Sequence, residues 1–206
     1  MIAELRAQGR EKEIQQAITE RKNKYIPDEL CYLERNTNGL YEKYLFDMGI
    51  AASFAELNRQ TIFSIIMDKM GWEPPLEGFS TVHNYINLDE NMIRKGAVSA
   101  NRGEKLIIPM NMRDGSLICI GKGNPEWNNS APHGAGRLFS RSQAKSDLSM
   151  EEFEKTMVGV FSSSVTKSTL DESPMAYKPM QEIIDNIGDT VDIEDIIKPI
   201  YNFKAH

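Results

Sequence analysis

The clearest pattern of apolar and polar positions lies between residues 40 and 70, where Tyr41, Tyr44, Leu45, Met48, Ala52, Ala55, Ile62, Ile66 and Met70 recur at steps of three and four. Groups at that spacing fall on one stripe of a 3.6-residue helix, so a long helix is predicted over 40–70. Ala51, Ala52 and Ala55 in its middle would let another element approach closely, and Pro74 with Pro75 ends the region. Upstream, Ile2, Leu5, Ile14 and Ile18 sit among many charges, which predicts a solvated amphipathic helix over 1–24. Turns at Pro27-Asp28 and over 36–39 flank a short apolar patch of Leu30, Tyr32 and Leu33.

After Gly78 the period changes from 3.6 to 2. Short β-rich runs over 80–88, 92–97, 105–109 and 116–120, separated by glycines and polar turns, predict an antiparallel sheet region. Residues 123–133 have no period and are rich in Asn, Ser, Pro and Gly, so an irregular loop is expected there, leading into a helix over 134–145. Ser149 with Glu152 three positions on is a capping-box pattern opening a helix to about residue 158. A loop over 171–179 precedes a helix over 180–187, and residues 193–203 read as a short helix or turn followed by a strand. The fold class expected is α+β: a long helix, a mostly antiparallel sheet region, then further helices. It forms one domain with a helical part (1–75) and an α+β part (76–206).

Composition narrows the class. Of 206 residues, 40% are hydrophobic and 26% charged, which is a globular balance with a real core. A formal charge of -6 and a pI near 5.2 argue against a surface that is basic overall, while leaving room for a local basic groove. No stretch approaches the roughly 20 apolar residues of a membrane helix and no export signal is visible, so a soluble, cytoplasmic protein without a membrane partner is expected. Cys31 and Cys119 are far apart and read as buried thiols in a reducing compartment.

Candidate chemistry gathers at two of the three histidines. His83, in Thr81-Val82-His83-Asn84-Tyr85-Ile86, shares a strand face with Tyr85 by alternation; it is either a strand histidine satisfied by a backbone carbonyl or a metal ligand. His133 stands at the end of the irregular loop in Ser130-Ala131-Pro132-His133-Gly134-Ala135-Gly136-Arg137. Glycines there let backbone N–H groups approach a bound group, and a helix N-terminus favours an anion. Arg137 and Arg141, one helical turn apart, could both face a phosphate. The turn around Pro109, Met110, Asn111, Met112 and Ser116 is either a plain hairpin or a source of backbone donors to a nucleotide. Asp171-Glu172 reads first as a solvated turn, and Lys204 as a frayed terminal charge.

Taken in order, Asp47-Met48 with Ala55–Arg59, His83-Asn84-Tyr85, Arg94-Lys95-Gly96-Ala97, Ile108-Pro109 with Gly115-Ser116, Ser130–Arg141, Asp171-Glu172 with Ala176-Tyr177-Lys178, and Lys204-Ala205 resemble the carboxyl-terminal half of the RtcB-type RNA-splicing ligases. The resemblance implies a ligase that uses GTP and manganese to join RNA 2',3'-cyclic phosphate or 3'-phosphate ends to 5'-hydroxyl ends, in tRNA splicing or RNA repair. By it His133 is the catalytic residue that carries GMP, and His83 is a metal ligand. Asn84, Pro109, Met110, Asn111, Met112, Ser116, Gly134, Ala135, Gly136, Tyr177 and Lys204 surround the nucleotide, while Arg137 and Arg141 lie beside RNA. The partners implied are broken RNA ends or tRNA halves, an activating archease-type protein and an amino-terminal half. Two departures stand out. The family's Pro-Gly-Ser-Met-Gly turn is replaced by Pro109-Met110-Asn111-Met112-Arg113, and the family's further metal ligands (an aspartate, a cysteine and two histidines) and its Gly-Asn-His-Phe segment are absent from this chain. The alternative expectation is a non-catalytic nucleotide- or RNA-binding remnant of the fold.

Overall fold

The computed structural model describes residues 5, 7, 8, 10, 13, 14, 32–35, 39–75 and 77–202. The expected features over 1–31, Cys31 included, lie almost wholly outside these, as does Lys204. The chain divides into two compact units, Met1–Ile66 and Met67–His206. The predicted long helix is observed as α1, Leu40–Met70, with no buried residue.

All strands described lie in the second unit. Strands β1 (His83–Asn87), β2 (Met92–Ser99) and β5 (Ser130–Pro132) form one antiparallel sheet in the order β1-β2-β5, and β3 (Lys105–Asn111), β4 (Gly115–Gly121) and β7 (Val191–Ile197) form another in the order β3-β4-β7. Both hairpins turn on an asparagine. Asn87 Oδ1 accepts from the N–H groups of Asp89 and Glu90 at 3.0 and 3.1 Å, and Asn111 Oδ1 does the same for Arg113 and Asp114 at 3.0 and 2.9 Å. Gly115 closes the second turn at φ +85, where a Cβ would stand 1.9 Å from the Ile197 carbonyl oxygen.

Alternation decides the core. Leu106, Ile108 and Met110 on β3 and Leu117 and Cys119 on β4 turn inward, meeting Val98 and Ala131 from the other sheet and Ala100 just past the end of β2. The predicted helix over 180–187, here α4 (Met180–Ile187), closes this core with Ile183, Ile184 and Ile187. A second cluster, Met112, Phe153, Met157 and Leu170, forms around the short helix α3 (Met150–Thr156).

Several expectations are corrected. The helix expected over 134–145 is only α2 (Arg141–Asp147), because Gly136 takes φ +72 and residues 136–138 pair with 176–178 instead: Lys178 N–H donates to Gly136 O at 3.1 Å and Leu138 N–H to Ala176 O at 2.9 Å. The irregular loop over 123–133 contains a single 3-10 turn, Pro125–Trp127, and ends in β5, since Ser130–Pro132 completes the first sheet. Residues 191–197 are a strand, not a helix or turn, because they add a third ladder to β4. The Ser149 side chain makes no capping bond to α3; such bonds occur at Ser140, which accepts from Gln143 N–H, and reciprocally between Thr166 and Thr169. Two short pieces, β6 (Phe161–Ser162) and β8 (Tyr201–Asn202), pair in parallel.

Candidate functional site

The first sheet and the loop after it fix the histidines. Between His83 and Tyr85 the β1–β2 register slips, and Asn84, at φ +58, fills the irregularity with its Oδ1 accepting from Gly96 N–H at 2.6 Å. Gly96, at φ +69, turns its carbonyl toward His133, whose Nδ1 lies 2.8 Å from that oxygen. A carbonyl only accepts, so Nδ1 carries the hydrogen and Nε2 is the ring nitrogen left for other chemistry. The His83 ring stands 5.0 Å from that of His133, centroid to centroid and tilted by 38°.

His133 opens onto a cavity of about 770 Å³, within the usual size of a small-molecule site. One wall is the β3–β4 hairpin, through Pro109, Met110, Asn111, Met112 and Ser116. Another is the segment after β5, Gly134, Ala135 and Gly136, laid against β3 by Ala135 N–H donating to Pro109 O at 3.2 Å. Gly134 has no room for a side chain without crowding, since a Cβ would sit 3.0 Å from that same oxygen. Arg137, Arg141 and Tyr177 line the third side. The expected residues over 109–116 and 133–141, with Tyr177, therefore converge on one hollow. His83 and Asn84 adjoin it through His133 and Gly96 without lining it.

Two details differ from expectation. The hairpin amides of Arg113 and Asp114 are already taken by Asn111, so they are not donors awaiting a ligand. Arg137 and Arg141 do not share a helix face. Arg137 is built into the fold: Nε donates to Phe139 O at 3.1 Å, Nη1 to the Tyr177 hydroxyl at 3.0 Å and Nη2 to Asp171 O, with the guanidinium 4.9 Å over the Tyr177 ring. Arg141, exposed at the start of α2, pairs through Nη1 with Asp171 Oδ2 at 3.0 Å and Glu172 Oε1 at 2.5 Å.

The Asp171-Glu172 pair is not a solvated turn. Asp171 is 4% exposed and also meets Lys145 at 3.3 Å. Burial alone would raise its carboxyl, but Arg141 and Lys145 outweigh burial and hold it below the usual range. Burial, with Glu172 as hydrogen-bond acceptor at 2.8 Å, pushes the Tyr177 hydroxyl up to about 12. Around this rim stand the cations Arg137, Arg141, Lys145 and Lys198 and the carboxylates of Asp171 and Glu172, which leaves positive charge in excess beside His133.

Glu172, Lys198, Pro199 and Asn202 also line the cavity and were not singled out as site residues. The adjacent acids and their place in one of the family-like blocks were the signals for Glu172; nothing in the sequence around Lys198-Pro199 distinguishes it from an ordinary strand end. For a metal the donor set is short. His83 is one candidate ligand, and among the described residues no three or more His, Cys, Asp or Glu side chains are grouped to hold an ion. No helix described is long and apolar enough to cross a membrane.

Comparison of the sequence with known proteins places the chain in a family. The family model described as tRNA-splicing ligase RtcB matches residues 7–205. The chain is similar to RNA-splicing ligase RtcB of Escherichia coli K12, 31% identical over 193 residues covering 86% of this chain and 47% of that protein. It is also similar to tRNA-splicing ligase RtcB of Nanoarchaeum equitans, 32% identical over 205 residues covering 81% of this chain and 43% of that protein, and to that of Aeropyrum pernix, 29% identical with 69% and 37% covered. The chain spans less than half the length of each of these relatives.

Proposed function

Since the chain belongs to the RtcB family, we propose that its cavity receives the GMP part of GTP and that His133 is the nucleophile of an RNA ligase. The single observation that carries this reading is the hydrogen bond from His133 Nδ1 to the Gly96 carbonyl. It holds one tautomer and one ring orientation, which leaves the Nε2 lone pair as the attacking group. Attack on the α-phosphorus forms an N–P bond and breaks the P–O bond to pyrophosphate. An RNA 3'-phosphate then takes the GMP from the imidazole, and a 5'-hydroxyl displaces GMP as the ends join.

The remaining residues divide the work. Gly134 and Gly136 allow close approach of a phosphate to the backbone, and the excess positive charge at the rim favours it. Arg141, exposed at the rim and held there through Nη1 by Asp171 and Glu172, is the cation placed to meet an RNA phosphate, whereas Arg137 holds the wall. Met110 and Met112 give a soft apolar floor for a base in place of the family's smaller turn. Lys204 and an archease-type activator remain parts of the same proposal. The described donors do not make up a manganese site, so a metal would need ligands beyond His83, as from an amino-terminal half of the family's fold.

Incubation of the chain with GTP labelled at the α-phosphorus, with manganese present, tests this reading. An acid-labile label that disappears in His133→Ala supports the ligase. GMP binding without label supports a nucleotide-binding remnant of the fold, the reading favoured by the short donor set. Absence of both label and GMP binding overturns the nucleotide site.

A further inference from the structure

Tyr177 and Arg141 line the cavity on different elements, and one side chain holds both. Glu172 takes the Tyr177 hydroxyl on Oε2 at 2.8 Å and Arg141 on Oε1 at 2.5 Å, with its own side chain only 19% exposed. The direction of the chain of hydrogen bonds matters. Arg137 Nη1 donates to the Tyr177 oxygen at 3.0 Å, and the Tyr177 hydroxyl donates onward to Glu172. With its proton committed to a carboxylate, Tyr177 has no O–H to give a ligand; what it presents to the cavity is its ring, backed by the Arg137 guanidinium at 4.9 Å.

We infer that Glu172 is a positioning residue: it sets the Tyr177 ring as an apolar wall for the base of a bound nucleotide and stations the Arg141 cation at the cavity rim. The inference rests on the reading of the cavity as a nucleotide site. Its own content is that Glu172 holds both groups in place, so that an acidic side chain strengthens binding of an anionic ligand. On charge alone the opposite is expected, because removing a carboxylate beside a phosphate should tighten binding.

GMP affinity, measured by calorimetry on the whole chain, tests it. Glu172→Ala is expected to weaken GMP binding about tenfold, the scale of one lost hydrogen bond to a charged group. Glu172→Gln, which keeps an acceptor for the hydroxyl, is expected to lose only about threefold. The midpoint of tyrosine ionisation supplies a readout that simple destabilisation does not move. In a stopped-flow pH jump, with Tyr177→Phe subtracted to isolate the signal, Tyr177 of the parent chain ionises near 12 and both Glu172 variants ionise lower. Thermal unfolding confirms that each variant is folded at the assay temperature. Equal or tighter GMP binding by folded Glu172→Ala overturns the inference, as does weakened binding with an unmoved Tyr177 midpoint. A parent chain that fails to bind GMP overturns the nucleotide reading instead, while the Tyr177 midpoint still reports whether Glu172 holds the ring.

Discussion

Arg94 sits on β2 with its side chain 1% exposed, and replacing it by Met removes a buried guanidinium while keeping an apolar stem of similar length. The structure sets the size of the effect. Nε donates to Ser130 Oγ at 2.9 Å, Nη1 to the Tyr85 hydroxyl at 3.1 Å, and Nη2 meets Glu90 Oε2 at 2.7 Å, so one side chain ties β1, β2 and β5 together three residues before His133. Hydrogen bonds to a charged group contribute about 1.5–3 kcal/mol each, but the partners are not all stranded by the change. Ser130 Oγ still donates to Asn128 O at 2.8 Å, and Glu90 still accepts from Asn101 at 2.7 Å. The expected loss is therefore about 2–4 kcal/mol, below the full cost of an uncompensated buried charge. For a chain of this size that lowers Tm by about 5–15 °C. Urea and thermal unfolding followed by circular dichroism measure it, with Arg94→Lys falling between the two because it keeps the charge and loses the planar fork. A shift below about 0.5 kcal/mol, as for an exposed ion pair, would refute the assignment of Arg94 as the clamp of this sheet.

Gly115→Ala should cost at least about 2 kcal/mol, from positive φ and a Cβ 1.9 Å from Ile197 O, whereas Gly96→Ala, at φ +69 with nothing nearer than 3.7 Å, should cost about 1 kcal/mol; paired urea titrations compare them. Cys119, fully buried, has its thiol pushed up to about 11 by burial and by the Glu194 charge, so it should resist a thiol reagent at pH 8 until urea unfolds the chain; rapid native labelling would contradict that burial. Asp171 has its carboxyl held below the usual range, so its contribution is present above that range and is lost as pH falls through the folded value. Asp171→Asn should flatten the acid limb of the stability profile, and an unchanged acid limb would show that its pairs with Arg141 and Lys145 do not act.

Elements with a single strong period were legible in the sequence. α4 shows apolar steps of three and four and the β3–β4 hairpin shows period two on both sides of an Asn-and-Gly turn, while the helix over Leu40–Met70, apolar on every face, was legible from a long run of helix-compatible residues without proline. What was not legible depended on distant pairing. Ser130–Pro132 is too short to carry a pattern and becomes a strand only because β2 offers it a ladder; residues 191–197 become one because β4 has a free edge. The helix over 134–145 was over-read for the same reason: residues 136–138 bond to 176–178, about forty positions away, and no local propensity reports that. At the site, His133 and its glycines were visible as a motif, and the hairpin wall followed from family resemblance. The role of Glu172 was hidden, since adjacent acids look like a solvated turn until Arg137, Arg141, Lys145 and Tyr177 are seen to close around them.

The most direct measurement on the central claim is nitrogen-15 NMR of the histidine side chains during titration with GMP, with His133→Gln assigning the ring. Nδ1 of His133 should show the protonated, pyrrole-type signature before and after GMP binds, because the Gly96 carbonyl holds it, while Nε2 alone shifts on binding. Saturable GMP binding that leaves both His133 nitrogens unmoved, or an Nδ1 without its hydrogen, would contradict the account.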